Sequence, residues 1–495
     1  MNHLIRIENV NFRYAACELG ALHNINLHVS KGELVVLLGG SGCGKTTITR
    51  LINRLVPEFF EGELTGTVLV NGRDISAQSI QSLAGTVGSV FQDPRSQFFA
   101  TDTTAEIAFS CENIGIPQKE LITRIEKAAG DLKISRLLDR SIFELSSGEK
   151  QAVAIASVYA LSPKILVLDE PSANLDARAS IHLMEVLQHL KKQGYTIVIS
   201  EHRIHYLKDI ADRAILIEDG RISRELSTEA FKNLTNEAAN SLGLRSMDLQ
   251  ATAPPGVSAR FIGNGLRLEN ISFRYDRKNL VLKDISLDIP KGAVVGIVGN
   301  NGVGKSTLLD IICGLKKEHT GEVFINESPA SAKARIQKSY LVMQDSDYQL
   351  FTESVEKELY LGIRFDSSLR RKGVGLLEHV GLAEVTSRHP ASLSGGQKQR
   401  LCIAVACMKD AEIICLDEPT SGLDYRNMKR VSVLLQKLSA QGKTVLLTSH
   451  DFEFLLSACT HICHLKNGTV NQFFKIDTEN SRQIYKILYP EEEKS

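Results

Sequence analysis

The sequence has no apolar run long enough to cross a membrane. A bilayer-spanning helix needs roughly 18–20 predominantly apolar residues, and no hydrophobic stretch in this 495-residue chain approaches that length. The sequence also shows no recognisable secretory signal peptide. We therefore expect a chain that does not span a membrane alone, so that any role in transport would need a pore formed by another protein.

Net charge and paired cysteines are also lacking. Lys+Arg and Asp+Glu both count 58, so the formal net charge is zero. Proteins that bind nucleic acid mainly through its phosphates usually carry excess positive charge, so this balance argues against a nucleic-acid partner. The nine cysteines are scattered without the spacing of a disulfide-stabilised secreted scaffold, which favours a reducing cytoplasm.

The length and an internal repeat predict two domains. A single core rarely supports 495 residues. The segment IRIENVNFRY at residues 5–14 returns as LRLENISFRY at residues 266–275, about half the chain later. A repeat of this size indicates two whole domains rather than a solenoid. We predict domains at 1–235 and 263–495, joined by a linker at 236–262 that contains prolines and shows no clear period.

A phosphate-binding loop is predicted in each repeat. Residues 39–46 and 299–306 both fit G-x-x-x-x-G-K-[ST], and each follows an apolar, strand-like segment. Glycines let backbone N–H groups face phosphates at a helix start, the lysine reaches the β- and γ-phosphates, and the hydroxyl holds Mg²⁺. Two matches in the same context are hard to attribute to chance. The predicted nucleotide contacts are Gly39, Gly40, Ser41, Gly42, Cys43, Gly44, Lys45, Thr46, Thr47, Gly299, Asn300, Asn301, Gly302, Val303, Gly304, Lys305, Ser306 and Thr307.

A tyrosine lies upstream of each phosphate loop. Tyr14 and Tyr275 both end a strand-like segment of the repeat. Their shared position favours stacking on an adenine ring, while the alternative is an ordinary strand tyrosine.

Paired acids follow a buried strand in each half. Asp169-Glu170 and Asp417-Glu418 both come directly after four apolar residues. The aspartate is predicted to hold Mg²⁺ and the glutamate to accept a proton from the attacking water. Paired acids at a strand end are otherwise usually solvated, but here the pair recurs at the same place.

Glutamines and histidines also recur at strand ends. Gln92 and Gln344 are predicted to orient water and Mg²⁺ near the γ-phosphate, and His202 and His450 to contact that phosphate. A lone residue of either type would more often be structural. We count both pairs as catalytic candidates and both glutamines as metal ligands, together with Thr46, Ser306, Asp169 and Asp417.

A second anion site is predicted at a helix start in each half. The segments LSSGEKQ at 145–151 and LSGGQKQR at 393–400 precede long helical patterns, so a hydroxyl, free N–H groups and the helix dipole would meet there. The alternative is a plain capped helix. The predicted nucleotide contacts from these segments and from the later turns are Ser146, Gly148, Asp176, Ser394, Gly395, Gly396, Gln397 and Asp424.

Taken in order, these motifs resemble the ATP-binding-cassette (ABC) ATPases, twice and over nearly the whole chain. The stretches at 91–99 and 344–355 are similar to a narrower branch, the ATPases of energy-coupling-factor (ECF) importers of vitamins and transition-metal ions. The fused two-cassette form and the variant Glu201-His202-Arg203 resemble the subgroup linked to thiamine precursors and related vitamins.

The resemblance implies an α/β fold with two tandem P-loop nucleotide-binding domains, each with a mixed β-sheet core and a helical subdomain. ATP and Mg²⁺ would be held between the phosphate loop of one half and the Ser-Gly-Gly segment of the other, so one chain per transporter suffices. A transmembrane coupling subunit would bind near Gln92 and Gln344 at the cytoplasmic face of the membrane. A separate substrate-binding membrane protein would select the cargo. The aromatic segments at 97–99 and 349–351 would either form this docking groove or lie in the core.

The first half departs from the family pattern. It has Ser147 and Glu149 where the family has Gly and Gln, and Ala173 where the second half has Ser421. Replacing Gly would remove easy access to positive φ, and Glu149 would repel a bound nucleotide. We therefore hypothesise that the site built on Lys305 turns over more slowly; tolerated drift is the alternative.

Two rival functions remain open. A twin-cassette monosaccharide importer would usually lack a competent second site, whereas Lys305, Ser306 and Glu418 are present here. A ribosome-associated twin-cassette factor would resemble its relatives in a long, charged linker, whereas residues 236–262 are short and nearly uncharged.

Overall fold

The computed structural model describes residues 3–15, 20–254, 263–276, 279–363, 366–409, 411–420 and 422–490. Contacts divide the chain into two compact units, unit 1 at residues 1–248 and unit 2 at residues 249–495. This division falls inside the predicted linker. The linker residues 255–262 and Ser421 lie outside the described residues.

Unit 1 contains ten strands and nine helices in its described residues. The strands are β1 His3–Tyr14, β2 Leu22–Ser30, β3 Leu34–Leu38, β4 Gly62–Val70, β5 Arg73–Asp74, β6 Val87–Val90, β7 Ile165–Asp169, β8 Thr196–Ser200, β9 Arg213–Glu218 and β10 Arg221–Ser227. The helices are α1 Lys45–Ile52, α2 Leu55–Glu58, α3 Ile80–Ala84, α4 Thr103–Asn113, α5 Gln118–Asp131, α6 Ser147–Ala160, α7 Ala177–Lys192, α8 Thr228–Lys232 and α9 Asn236–Ser241.

Two sheets organise unit 1. An antiparallel sheet has the order β2-β1-β4-β5, and a six-stranded sheet has the order β10-β9-β3-β8-β7-β6. In the larger sheet β3 pairs in parallel with both β8 and β9, so that Val35 lies opposite Val198 and Arg213. Every residue of β3 and β8 is buried, as expected for parallel strands covered on both faces. The carboxyl ends of these strands therefore carry the polar residues to one edge.

Unit 2 repeats this architecture. Its strands are β11 Asn264–Arg274, β12 Leu280–Pro290, β13 Val294–Val298, β14 Thr320–Ile325, β15 Ser328–Pro329, β16 Ser339–Val342, β17 Ile413–Asp417, β18 Thr444–Thr448, β19 His461–Lys466 and β20 Thr469–Lys475. Its helices are α10 Lys305–Ile312, α11 Ala332–Lys338, α12 Val355–Tyr360, α13 Ser367–His379, α14 Gly395–Met408, α15 Tyr425–Ala440, α16 Phe452–Ala458 and α17 Ser481–Leu488. The sheets have the orders β12-β11-β14-β15 and β16-β17-β18-β13-β19-β20, which match those of unit 1 strand for strand.

The predicted α/β fold class is confirmed. The apolar, strand-like segments before the two phosphate loops form β3 and β13. The helix after the first phosphate loop begins at Lys45, so the helix start is built into the loop itself.

The predicted linker is partly folded. It contains α9, which has a Thr235 side-chain cap, and Ala239 and Met247 pack into the unit 1 core. The sequence pattern did not indicate α9, because this short capped helix has no apolar period of its own.

No described helix has both the length and the apolarity needed to cross a bilayer.

Candidate nucleotide-binding sites

The phosphate loop of unit 1 joins β3 to α1 and closes around its own lysine. Lys45 Nζ donates to the carbonyl oxygens of Gly39 at 2.9 Å and Gly40 at 3.0 Å. Gly39 has φ 140°, and a Cβ there would lie 2.3 Å from the Ile217 carbonyl oxygen. Only glycine fits this close approach. Because the lysine is buried with its charge on two carbonyls, it is positioned for an anion in the loop.

The phosphate loop of unit 2 has the same construction. Lys305 Nζ donates to the carbonyl oxygens of Gly299 at 2.8 Å and Asn300 at 3.2 Å. Gly299 has φ 151°, and a Cβ there would meet the Leu465 carbonyl oxygen at 2.3 Å. The two loops are therefore equivalent in backbone and charge.

An acidic and hydroxyl cluster lies at the carboxyl ends of the unit 1 strands. Thr46 Oγ1 donates to Asp169 Oδ1 at 3.2 Å, and Ser200 Oγ donates to the same oxygen. Desolvation by burial raises the pKa of Asp169. The oxygen donors of Thr46, Asp169 and the Gln92 amide are the kind that Mg²⁺ prefers, so the residues present fit this ion. Ser200 was missed in the sequence because nothing in a buried strand marks its last residue as a partner of Asp169.

The predicted base of unit 1 is held by two predicted partners. Gln92 Nε2 donates to Glu170 Oε2 at 2.9 Å, and His202 Nε2 lies 3.0 Å from Glu170 Oε1. Glu170 has φ 44°, a left-handed conformation that is rare for a residue with a side chain and that clusters at functional sites. The structure thus brings the glutamine, the histidine and the glutamate of the sequence prediction together.

Unit 2 arranges the same residue types differently. Glu418 also has a left-handed backbone, with φ 48°. His450 Nε2 lies 3.5 Å from Glu418 Oε1, but it is closer to Asn301 Oδ1 at 3.0 Å and Lys305 Nζ at 3.3 Å. Thr448 Oγ1 donates to Asp417 Oδ1 at 2.5 Å, as Ser200 does to Asp169. Its histidine therefore contacts the phosphate loop as well as the base.

Gln344 differs from Gln92 in its hydrogen bonding, and its predicted role in orienting water and Mg²⁺ stays a prediction. Among the described residues of unit 2, its side chain makes no hydrogen bond, whereas Gln92 bonds Glu170. Ser306 keeps the place of Thr46 at the first turn of α10.

The two strand tyrosines bond the helix after each loop. Tyr14 Oη lies 3.1 Å from Thr47 Oγ1, and Tyr275 Oη lies 3.0 Å from Thr307 Oγ1. Tyr275 is exposed, and Lys316 Nζ lies 5.3 Å from its ring centroid. Each ring is anchored beside a phosphate loop, so adenine stacking stays a prediction for both.

The Ser-Gly segments start helices α6 and α14 as capping boxes. Ser146 accepts from Glu149 N while Glu149 accepts from Ser146 N, and Ser394 and Gln397 do the same in unit 2. These helices pack against α4 and α5, and against α12 and α13. The Asp176 and Asp424 side chains likewise cap α7 and α15. A capping role accounts for these residues locally, and their contact with nucleotide stays a prediction.

The structure corrects the expectations for both Ser147 and Glu149. Gly395, the counterpart of Ser147, starts α14 with a helical backbone, and a Cβ there would meet nothing within 4 Å. This position does not require a positive φ, so serine at position 147 causes no backbone strain. Glu149 is also not an uncompensated charge, because Arg136 and Arg140 lie 3.4 and 3.7 Å from its Oε1.

A different glycine in this segment is required by packing. A Cβ on Gly148 would lie 2.5 Å from the Ala179 Cβ on α7. The glycine lets α6 and α7 approach each other at the start of both helices.

The aromatic segments after Gln92 and Gln344 are exposed rather than buried. Phe99 is 74% exposed and Phe351 is 73% exposed, so the core alternative is wrong for these two rings. Phe98 and Leu350 pack partly against the cores. The exposed rings therefore lie on a surface next to the predicted catalytic glutamines.

The family model described as ABC transporter matches residues 22–173 and 282–421. A Treponema denticola protein named "Putative ABC transporter ATP-binding protein" is 43% identical over 475 residues, covering 94% of this chain and 96% of its own. The chain belongs to the ABC transporter family, with two ATP-binding cassettes, and it is an ATPase.

Two further comparisons differ in what they support. The Bacillus subtilis protein named "Putative HMP/thiamine import ATP-binding protein YkoD" is 31% identical, covering 99% of this chain and 96% of its own. The archaeal ribosome recycling factor aABCE1, solved with the stalk protein aP1, has a TM-score of 0.64 at 20% identity, covering 97% of this chain and 92% of its own. At that identity the second likeness supports the fold alone.

Proposed function

We propose that this chain is the energy-coupling ATPase of an ECF-type importer, which drives uptake of a vitamin or transition-metal ion through separate membrane subunits. A cleft of about 660 Å³ in unit 1 carries the proposal. Its lining includes Asp169, Gln92 and the rings of Phe59, Phe91 and Phe99. An apolar segment bound there would lie against the same glutamine that bonds the catalytic base.

Such a cleft suits the apolar face of a partner helix. Helix-in-groove recognition lays the apolar face of a helix into a hydrophobic groove, and exposed apolar side chains that form one contiguous patch mark interaction sites. Unit 2 exposes Phe351 and Tyr348 in the equivalent segment. We infer that the occupant is a helix of a membrane coupling subunit, so the chain would lie at the cytoplasmic face of the membrane. The name of the Bacillus subtilis relative supports the importer assignment.

The proposed chemistry uses the side chains already placed. Lys45 would exchange its two carbonyl partners for phosphate oxygens, and the Glu170 carboxylate would accept a proton from the attacking water. His202 would hold that carboxylate and contact the γ-phosphate. Mg²⁺, when bound by Thr46 and Asp169, supplies charge neutralisation of the phosphates.

The two nucleotide sites are proposed to form between cassettes of the same chain. Each site would combine the phosphate loop of one unit with the capped helix start, Ser146 or Ser394, of the other. One chain per transporter would then suffice, and no nucleic-acid partner is proposed. Closure of the two cassettes on ATP would be transmitted to the membrane subunit by its helix bound in the cleft.

The test is purification from detergent-solubilised native membranes, with uptake of labelled thiamine precursors, Co²⁺ and Ni²⁺ measured in parallel. We expect integral membrane proteins in stoichiometric amounts and ATP-dependent uptake of one of these substrates. Phe99→Glu and Phe351→Glu should release the membrane proteins, because a carboxylate in an apolar cleft is costly to bury.

Val433→Glu is the matched control. Val433 is an exposed apolar residue on α15, outside the aromatic segments, so its replacement should leave the complex intact. Co-sedimentation with ribosomes and no membrane companion would contradict the proposal.

A further inference from the structure

A buried glutamate precedes the histidine of unit 1. Glu201 is 2% exposed and accepts four hydrogen bonds. Its Oε1 accepts from Ser172 N at 3.0 Å and Tyr206 Oη at 2.8 Å, and its Oε2 accepts from His202 N at 2.7 Å and Arg203 N at 3.2 Å. Burial raises the pKa of Glu201, and the hydrogen bonds from Ser172, Tyr206 and His202 act against that shift. Four donors converge here on the two oxygens of one carboxyl group.

These bonds join two segments that carry the candidate catalytic groups. Ser172 lies in the turn directly after Glu170, and Glu201 holds its backbone N–H. Arg203 fastens the same turn from its other end, because its NH1 donates to the Leu175 carbonyl oxygen at 3.0 Å. The turn and the histidine segment are thus tied together on both sides of His202.

In unit 2, other residues lie between the histidine segment and the turn after the glutamate. Ser449 and Asp451 stand where unit 1 has Glu201 and Arg203. Ser449 Oγ accepts from Asp451 N at 3.0 Å, and Asp451 caps α16. Among the described residues, Ser449 Oγ connects to the preceding turn through a contact of 3.4 Å with Thr420 Oγ1. A hydroxyl pair replaces the buried carboxylate.

The two histidines also differ in their distance from the glutamate of their own unit. His202 lies 3.0 Å from Glu170, whereas His450 lies 3.5 Å from Glu418 and 3.3 Å from the phosphate-loop lysine. We propose that Glu201 is a positioning residue of unit 1, which fixes the turn at 171–175 and the histidine segment as one body. This keeps the His202 imidazole on Glu170 before nucleotide binds. The inference rests on the proposed catalytic roles of Glu170 and His202.

Glu201→Gln in the full-length chain is the decisive variant. An amide of the same shape has one accepting atom, so it must set its NH₂ group against backbone N–H donors on one side. We expect kcat for ATP to fall about tenfold or more, the effect of losing one or two hydrogen bonds to a charged group. KM should change less than threefold, since the four hydrogen bonds of the Glu201 side chain go to Ser172, His202, Arg203 and Tyr206 and not to the phosphate loop. The parent should carry Glu418→Gln, so that turnover reports the unit 1 site.

Two further variants separate positioning from folding. Tyr206→Phe removes one donor and keeps the three backbone bonds, so kcat should fall less than threefold. Arg203→Gln breaks the second tie to the turn from a partly exposed position, and it should lower kcat about threefold even if Glu201→Gln fails to fold. Asp451→Asn, a matched change in unit 2, should leave the turnover of this parent unchanged.

A folded Glu201→Gln protein with kcat within twofold of its parent would overturn the inference, as would a rise in KM with kcat intact. If Glu201→Gln does not fold, an unchanged kcat for Arg203→Gln would overturn it equally. The proposed transport function fails by a different result, the absence of a membrane companion, which does not affect these rates.

Discussion

The arginines beside Glu149 allow a direct test of whether the α6 start receives nucleotide. Arg136 NH2 and Arg140 NH1 lie 3.4 and 3.7 Å from the Glu149 carboxylate, whose other oxygen completes the capping box. Unit 2 has the uncharged Gln397 in this place and Glu384 at the position of Arg136. The two positions therefore carry a formal charge of zero in unit 1 and minus one in unit 2. The perturbation is Arg136→Glu, after which unit 1 has an acid at position 136, as unit 2 has at Glu384, in addition to its own Glu149.

The size of the effect follows from Coulomb's law. Exposed ion pairs such as these stabilise the fold by at most about 1 kcal/mol, so Arg136→Glu should leave the protein folded. The variant changes the local charge by two units. At an assumed separation of about 6 Å between the side chain and a phosphate charge, in a water-like dielectric, each unit is worth about 0.7 kcal/mol. The sum of about 1.4 kcal/mol corresponds to a tenfold weaker interaction with ATP.

The assay is KM for ATP in a Glu170→Gln background, where the remaining turnover comes from the Lys305 site. We expect Arg136→Glu to raise KM about tenfold at low ionic strength and much less at about 1 M salt, where the screening length is near 3 Å. Adding Glu149→Gln removes one of the two acids and should recover about half of the lost free energy. Arg136→Lys should behave like the parent.

The control for this charge argument lies in unit 2. Gln397→Glu, measured in a Glu418→Gln background, places a second acid in a segment that already has Glu384; because it adds one unit of charge rather than two, it should raise KM about threefold. An unchanged KM for Arg136→Glu at low salt, or an equal change at both salt concentrations, would refute the reasoning.

Three further predictions concern the sites and the fold. Glu170→Gln should reduce total ATPase rate more than Glu418→Gln, since the hypothesis assigns most turnover to the Lys45 site; equal losses would remove it. Ser200→Ala deletes a hydrogen bond to Asp169 and should raise the Mg²⁺ concentration for half-maximal ATPase about fivefold, and an unchanged Mg²⁺ titration would contradict that role. Burial lowers the pKa of His461 to about 4, below its usual 6.5, so its neutral form stabilises the fold above pH 6.5 and that stabilisation is lost as pH falls toward 4. The loss is about 1–2 kcal/mol at pH 5, so the unfolding temperature of His461→Gln should fall less than that of the native protein between pH 7.5 and pH 5; equal falls would exclude His461 as the titrating group.

Local sequence was enough to predict much of each site. The two phosphate loops follow from glycines at places where a Cβ would strike a carbonyl oxygen, as at Gly39 and Gly299. The strands before them are uninterrupted apolar runs because both faces are covered. The order of the strand-end acids, glutamines and histidines then placed them on one edge of the sheet, where unit 1 brings Gln92, Glu170 and His202 together.

What the sequence determined by itself is the repeat, the fold of each unit and the identity of the residues at the strand ends, since these depend on short-range patterns of glycine, apolar and acidic side chains. Only the tertiary structure decided which side chains and backbone groups these residues contact. It neutralised Glu149 with Arg136 and Arg140, buried Glu201 among four donors, and turned His450 toward Lys305 but His202 toward Glu170. The contacts of Glu201 with Ser172 and of His450 with Lys305 join residues 29 and 145 positions apart, and hydrogen bonds and charges act over a few ångströms of space rather than along the sequence.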